Sequence, residues 1–219
     1  MSDKKKSSTE IPFVKTGPEP ASDTHLSCRR MLVGPWCNQP EQYEGYNGFV
    51  GWAAASRFRS GRWAVTFTSG YWHGSPPCTD EMLKEPFYRK LFEKRREDYG
   101  GMPIIRAPRG GRAHVIYSED QGHTWLAPET IVDTEYDDRC PTILELKEGV
   151  WLCTFFASGL RPMAEIRARG NQEGKEKRAF AMYMLSYDEG RTWSDPKPAD
   201  ERDGAARSFG NGSAIQLSD

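Results

Sequence analysis

Net charge is nearly absent from this chain of 219 residues: 30 Lys and Arg stand against 31 Asp and Glu, a formal charge of −1. Such a balance gives no general electrostatic pull toward nucleic acid or an anionic membrane, so neither partner is expected and specificity must come from local sites. Cysteine is sparse. Cys28, Cys37, Cys78, Cys140 and Cys153 are odd in number, far apart and free of any CxxC pair, which indicates neither a zinc site nor a full disulfide framework; no metal or cofactor is expected. Cys153, within VWLCTFF, reads as a small buried hydrophobe. No apolar run reaches the length of a membrane span. The opening MSDKKKSSTE has positive charge with no apolar stretch behind it, so it reads as neither secretory signal nor anchor, and the expectation is a soluble, by default cytoplasmic, protein. Phosphate-cradling glycine loops, HExxH, GxSxG and a dinucleotide fingerprint are all missing; GGMPIIRAPRGG is glycine-rich without the required spacing and reads as loop.

What the chain does have is 7 Trp, 9 Tyr, 10 Phe, 21 Gly and 15 Pro, the composition of short strands joined by many turns. The class expected is all-β. Residues 1–30 are polar and without period, and read as a flexible lead-in; residues 31–219 carry the folded part.

Internal repeats organise that part. YSEDQGHTW, residues 117–125, returns as LSYDEGRTW, residues 185–193, with Ser118, Asp120, Gly122, Thr124 and Trp125 matching Ser186, Asp188, Gly190, Thr192 and Trp193 at an offset of 68. AAASRFRSGRWAVTFTS, from Ala53, matches PTILELKEGVWLCTFFA, from Pro141, at an offset of 88, pairing Gly61 with Gly149 and Trp63 with Trp151. Each of these reads as a hairpin whose turn is closed by glycine. The last residues, AIQLSD, match ILELKE and stop one position before the turn glycine, so the sequence is expected to end within a further hairpin. A hairpin, a variable connection, and a strand entering the Ser-X-Asp-X-Gly-X-Thr-Trp turn make four antiparallel strands per unit, the pattern of a β-propeller blade. One blade is expected over about 45–132, a second over about 134–198, and the start of a third over 205–219. Within the first, TDEMLKEPFYRKLFEKRREDYG has Leu83, Phe87, Leu91 and Phe92 at helical spacing and predicts a helical insertion over 79–100, broken or started at Pro86, as a lid or brace.

Turn chemistry accounts for every fixed position of the nine-residue boxes. The Asp accepts backbone N–H bonds, Gly supplies positive φ, Ser and Thr bond locally, and Trp turns into the core, so Asp120 and Asp188 are read as structural. The boxes, together with YNGFVGWAAASRF, GGRAHVIYSEDQGHTW and DDRCPTILELKEG, resemble the Asp-box (bacterial neuraminidase repeat) proteins of the sialidase superfamily, bacterial sialidase-like members above all. The resemblance covers about residues 46–219 and implies a sialidase-like six-bladed propeller, of which about two and a half blades fall in this chain. It also implies a glycoside hydrolase that removes a terminal, acidic sugar from glycans, with a glycan or sialoside as partner. Asp boxes also occur in propellers that only bind, so a non-catalytic carbohydrate- or protein-binding propeller is the alternative. Open propeller edges would favour self-association.

In blade topology the hairpin turns and boxes share one end, and the other connections converge at the opposite end, where a pocket can form. The segments expected there are 46–52, 135–139 and 207–213, with the loops carrying Tyr71 and His73 and residues 158–178, and with Arg106, Arg109 and Arg112 approaching from the same side. In YDDRCP, Arg139-Cys140-Pro141 resembles the Arg-Ile-Pro motif that brings one carboxylate-clamping arginine in sialidases; the alternative is an Arg139 ion pair with Asp137 or Asp138 that ties the loop. FVGWAA, the equivalent stretch of the first unit, has no arginine. Asp137 and Asp138 are the acid/base candidates, or else loop caps. The resemblance also implies a Tyr nucleophile, its Glu and a last Arg in later blades, outside this chain. Tyr71 and His73 could meet a sugar, though a satisfied loop histidine reads equally well. Arg207 and Asn211, in RSFGNGS, offer a second arginine and an amide, or a plain turn.

Overall fold

A computed structural model describes residues 31–34, 37–98, 100–101, 103–168, 177–199 and 215–217. They are mostly β, in two four-stranded antiparallel sheets. The first has the order β1 (Phe49–Arg57), β2 (Trp63–Gly70), β3 (Arg112–Ser118), β4 (Glu129–Val132); the second has β5 (Asp137–Glu145), β6 (Trp151–Leu160), β7 (Lys177–Ser186), β8 (Lys197–Pro198). Three helices, α1 (Asp80–Lys84), α2 (Pro86–Asp98) and α3 (Met163–Ala168), lie in the β2–β3 and β6–β7 connections.

The hairpin turns β1–β2 and β5–β6 hold Gly61 at φ 86° and Gly149 at φ 79°, where a Cβ would touch nothing, so glycine is required there by backbone conformation rather than by space. The 88-residue repeat extends to a feature without any glycine: β1 bulges between Gly51 and Ala54, and β5 between Arg139 and Thr142, with Trp52 at φ 51° and Cys140 at φ 50°. Two non-glycine residues 88 positions apart thus share a left-handed kink that re-aims the start of each first strand.

The boxes are built alike. Ser118 Oγ donates to Asp120 Oδ1 at 2.9 Å and accepts from Gly122 N at 2.8 Å, while Asp120 accepts from Thr124 N at 2.7 Å and Thr124 Oγ1 at 2.5 Å. Ser186, Asp188, Gly190 and Thr192 repeat the same four bonds at 2.6–2.8 Å. Hydrogen bonds from the threonines hold both carboxyls down at a pKa of about 2. Trp125 Nε1 also donates to Gly122 O at 3.1 Å.

The faces of the two sheets pack together around Phe58, Ala64, Val115, Tyr117, Ile143, Trp151, Cys153, Phe155 and Met184. Phe58 stacks on Trp151 at 3.7 Å between ring centres, and β5 crosses the face of the first sheet with polar ties. Ser56 Oγ donates to the Ile143 carbonyl, Thr66 Oγ1 to the Pro141 carbonyl, and Cys140 N to Thr68 Oγ1 at 3.1 Å. The opposite face of the first sheet buries Phe67, Ile116 and Trp125 against Leu32 and Val33.

The insertion is helical and broken before Pro86, as two helices, α1 and α2. Thr79 caps α1 by accepting from Met82 N, and α2 starts at Pro86, where a missing N–H costs nothing. Tyr88 and Phe92 are its buried residues, while Leu83, Phe87 and Leu91 are half-buried. Tyr88, Phe92, Leu83 and Phe87 join Cys78 and Ile166 in a small second core, and the Tyr88 hydroxyl donates to the Arg161 carbonyl. The insertion therefore braces the β6–β7 connection of the other sheet.

One rim contact is repeated. Arg59 N, in the first hairpin turn, donates to Glu145 Oε2 at 2.7 Å, and the Arg59 guanidinium donates to the carbonyls of Leu146 and Lys147. At the second turn Lys147 N donates to Gln216 Oε1 at 2.7 Å and Lys147 Nζ to Leu217 O at 3.2 Å. Residues 215–217 thus sit against the second turn as 144–146 sit against the first.

Candidate functional site

At the end opposite the boxes, the start of β5 carries three consecutive charged residues into the interior: Asp137, Asp138 and Arg139 are 1%, 0% and 9% exposed. Three ionisable side chains are accommodated there because each has hydrogen-bond partners. Arg139 Nε donates to Asp137 Oδ2 at 2.6 Å, and its Nη2 pairs with the same oxygen. Asp137 also accepts from Ser75 N at 2.8 Å and Gly111 N at 3.2 Å. The backbone passes close here: a Cβ on Gly110 would lie 2.5 Å from Asp137 Cα, and one on Gly111 2.5 Å from Asp137 Oδ1, so the glycine pair of PRGGR makes room for this carboxylate.

The guanidinium of Arg139 has aromatic walls. Its carbon stands 4.9 Å from the centre of the Trp52 ring and 6.0 Å from that of Phe156. Trp52 is brought there by its left-handed bulge, and its ring contacts Phe49 at 5.4 Å and His73 at 4.9 Å. At the equivalent bulges Trp52 corresponds to Cys140 and Gly51 to Arg139, so the first contributes an indole and the second an arginine from adjacent positions.

Asp138 faces the other way. Its carboxyl accepts from Thr134 N at 2.6 Å and meets Thr134 Oγ1 at 2.8 Å, capping the turn between β4 and β5. Burial pushes its pKa from an ordinary 3.8 up to about 7, and the Thr134 hydroxyl can equally accept from a protonated acid. A raised carboxyl pKa means that the folded protein keeps a proton the unfolded chain gives up. The stabilisation is fully present below pH 4 and is lost as pH rises to about 7. Urea unfolding of wild type and Asp138→Asn is therefore expected to show wild type losing stability relative to the variant between pH 4 and 7; parallel curves would contradict the buried, neutral acid.

Among the other expected site residues, Tyr71 is half-buried and its hydroxyl donates to Pro76 O at 2.9 Å, with burial raising its pKa. His73 is exposed against Trp52. Arg112 pairs with Asp133 at 3.2 Å, beside Arg109 at 3.3 Å, and lies over the Tyr43 ring at 3.9 Å; it belongs to a wall behind the Arg139 corner. Arg207 and Asn211 lie outside the described residues. The segment 158–178, expected as loop, is strand to Leu160, helix over α3, and strand again from Lys177, because the small core under α2 orders it. Arg161 and Arg167 are used there in pairs with Glu165 at 3.3 Å and Glu85 at 3.1 Å.

Sequence reading placed Trp52 at the pocket end, within 46–52, but gave it no role, and it missed a buried relay beneath the corner. Tyr43 OH meets Ser69 Oγ at 2.7 Å, Ser69 Oγ meets His114 Nε2 at 2.6 Å, and His114 Nδ1 meets Thr130 Oγ1 at 3.1 Å. Burial, with Arg112 nearby, lowers the His114 pKa to about 3, so this imidazole is neutral and its relay is a fixture of the core. Among the described residues no group of three His, Cys, Asp or Glu could hold a metal ion, and no helix is long and apolar enough to cross a membrane.

No family model and no curated protein matches the chain. Among solved structures it is similar to a protein of unknown function from Dyadobacter fermentans, at 18% identity and a TM-score of 0.44, over 71% of this chain. The match spans 37% of that protein, so this chain covers little more than a third of its length.

Proposed function

We propose that this chain forms part of a sialidase-like β-propeller and supplies the corner that holds an acidic sugar for a glycoside hydrolase. The propeller reading draws support from the repeated four-stranded sheets, the two boxes with the same bonds, and the rim contact from Arg59 to Glu145 that recurs from Lys147 to Gln216. A unit stacked on its neighbour by the same contact each time is how a blade follows a blade.

One observation carries the functional reading: Arg139 is fixed at the bulge by Asp137 through Nε and Nη2, with an indole wall beside it. A guanidinium held this way is preorganised, and its remaining Nη1 edge is the donor for a sugar carboxylate. Low local polarity strengthens such a bond. His73 is exposed, and its ring lies 4.9 Å from that of Trp52.

The alternative, a propeller that binds without hydrolysis, is favoured by the engagement of both Asp137 and Asp138. Asp137 is committed to Arg139 and two backbone donors, and Asp138 to Thr134. A hydrolase built on this corner takes its acid and its nucleophile from elsewhere in the protein.

Two measurements separate the readings. Titration with the methyl glycoside of N-acetylneuraminic acid, followed by NMR, is expected to shift Trp52 and His73 resonances, with about tenfold or greater weakening in Arg139→Met. A fluorogenic sialoside then distinguishes turnover from affinity alone. Equal binding by Arg139→Met, or the absence of any sialoside shift, would remove the acidic-sugar assignment.

A further inference from the structure

The link that leads into β1 holds an Asn-Gly pair, Asn47 and Gly48, between two fixed points of the backbone. Tyr46 N donates to Tyr43 O at 3.0 Å and Asn47 N to Gly70 O at 3.1 Å, so the chain is tied as far as the Asn47 amide. It is tied again from Phe49, where β1 begins opposite Gly70. The Asn47 side chain and the peptide that joins it to Gly48 lie between, and both residues are exposed. With the described residues, neither the Asn47 carboxamide nor Gly48 N makes a hydrogen bond.

These are the conditions for a reaction within the chain itself. A carboxamide carbon is an electrophile, and the backbone nitrogen of the next residue, once deprotonated, is a nucleophile held beside it at high effective concentration. A side chain on that next residue obstructs the approach. Gly48 has none, its φ of 78° suits glycine at little cost, and a Cβ there would meet nothing within 4 Å, so no neighbour crowds the peptide. The other described asparagine is protected on each count. Asn38 is half-buried, its Nδ2 donates to Leu32 O at 2.9 Å, and Gln39 follows it.

We propose that Asn47 is a site of spontaneous succinimide formation and deamidation in the folded protein. Gly48 N gives its proton to hydroxide and attacks Asn47 Cγ. The N–Cγ bond forms, the Cγ–Nδ2 bond breaks, and Nδ2 takes a proton from water and leaves as ammonia. Water then opens the ring. Attack at Cγ gives aspartate on the original main chain; attack at the Asn47 main-chain carbonyl gives isoaspartate, with the chain routed through Cβ and Cγ. Either product replaces a neutral side chain by an acid, and isoaspartate lengthens the main chain by a methylene just ahead of β1 and the bulge that carries Trp52. The reaction needs only water and hydroxide, and stands whether or not a sugar binds at Arg139.

The test ages the folded chain at mildly alkaline pH, digests samples at intervals under mildly acidic conditions, and maps the peptides by mass spectrometry, with isoaspartate counted by enzymatic methylation. Asn38 in the same digests is the internal reference, and the chain unfolded in urea shows what the sequence does without the fold. In the folded chain Asn47 is expected to react at least about tenfold faster than Asn38, and within about tenfold of its own rate in urea. A smaller margin over Asn38, or a larger suppression by folding, overturns the proposal. Gly48→Ala is expected to slow the reaction at Asn47 about tenfold or more, and an unchanged rate would remove the succinimide route. Should that variant fail to fold, the comparison of folded and unfolded wild type decides the matter.

Discussion

Asp137→Ala is expected to destabilise the protein by about 3–5 kcal/mol, the range for breaking a buried ion pair from one side. The mutation leaves the Arg139 charge, 9% exposed, without its partner and removes the acceptor for Ser75 N, while Gly111 N keeps its bond to the Ser75 carbonyl at 3.0 Å. The orphaned Ser75 amide alone costs about 1–3 kcal/mol if water cannot reach it. Asp137→Ala/Arg139→Met is expected to be less damaged than Asp137→Ala, because the uncompensated charge goes with the arginine even though the Ser75 amide stays unmet. Urea unfolding of the wild type, both single variants and the double variant closes the cycle. If Asp137→Ala unfolds within about 1 kcal/mol of wild type, the pair is hydrated and of the weak exposed kind.

Trp151→Ala is expected to have an effect of the same size through a different cause, about 3–5 kcal/mol from lost burial and an unfilled cavity. Trp151 is 1% exposed, stacks on Phe58 at 3.7 Å, lies 6.4 Å from the Tyr117 ring and takes the close approach of Gly190. It is the largest fully buried side chain and touches both sheets. Trp151→Phe should recover part of the loss, since a ring against Phe58 is retained. Trp63, the repeat partner of Trp151, is half-buried, and Trp63→Ala should cost less. Equal losses at the two tryptophans would contradict the asymmetry between the sheets, in which only Trp151 is sealed by a neighbouring sheet.

Strands and turns were legible in the sequence wherever backbone conformation demands a particular residue. Gly61, Gly149, Gly122 and Gly190 all have positive φ, and the Ser-X-Asp-X-Gly-X-Thr-Trp spacing leaves its bonds no other arrangement. The kinks at Trp52 and Cys140 were not legible, because neither residue type marks a left-handed bulge. Only the offset of 88 linked them, and that alignment began one residue too late to include them. Helical spacing located the insertion but chose Leu83 and Leu91 over Tyr88, since periodicity reports a face and not the depth to which α3 covers it. At the site, YDDRCP drew attention to Asp137, Asp138 and Arg139, which the structure places side by side in the interior. Their roles depend on Ser75 and Gly111, 62 and 26 positions away, and on Trp52, none of which is near them in sequence. Of the two readings of Arg139, the structure shows the ion pair with Asp137 that ties the loop and fixes the guanidinium.

Gly190 carries a consequence for how the molecule comes apart. A Cβ there would lie 2.7 Å from Tyr117 Oη and 2.9 Å from Trp151 Cζ3, while Arg62 lies over the Tyr117 ring at 3.8 Å and donates to Glu189 O at 3.0 Å. The second box is thus a keystone wedged between its own sheet and the one before it. Neither sheet can open without releasing that wedge, so amides of β2 and β6 should exchange with solvent through one shared opening event, and a tool that loosens either sheet should be felt by both.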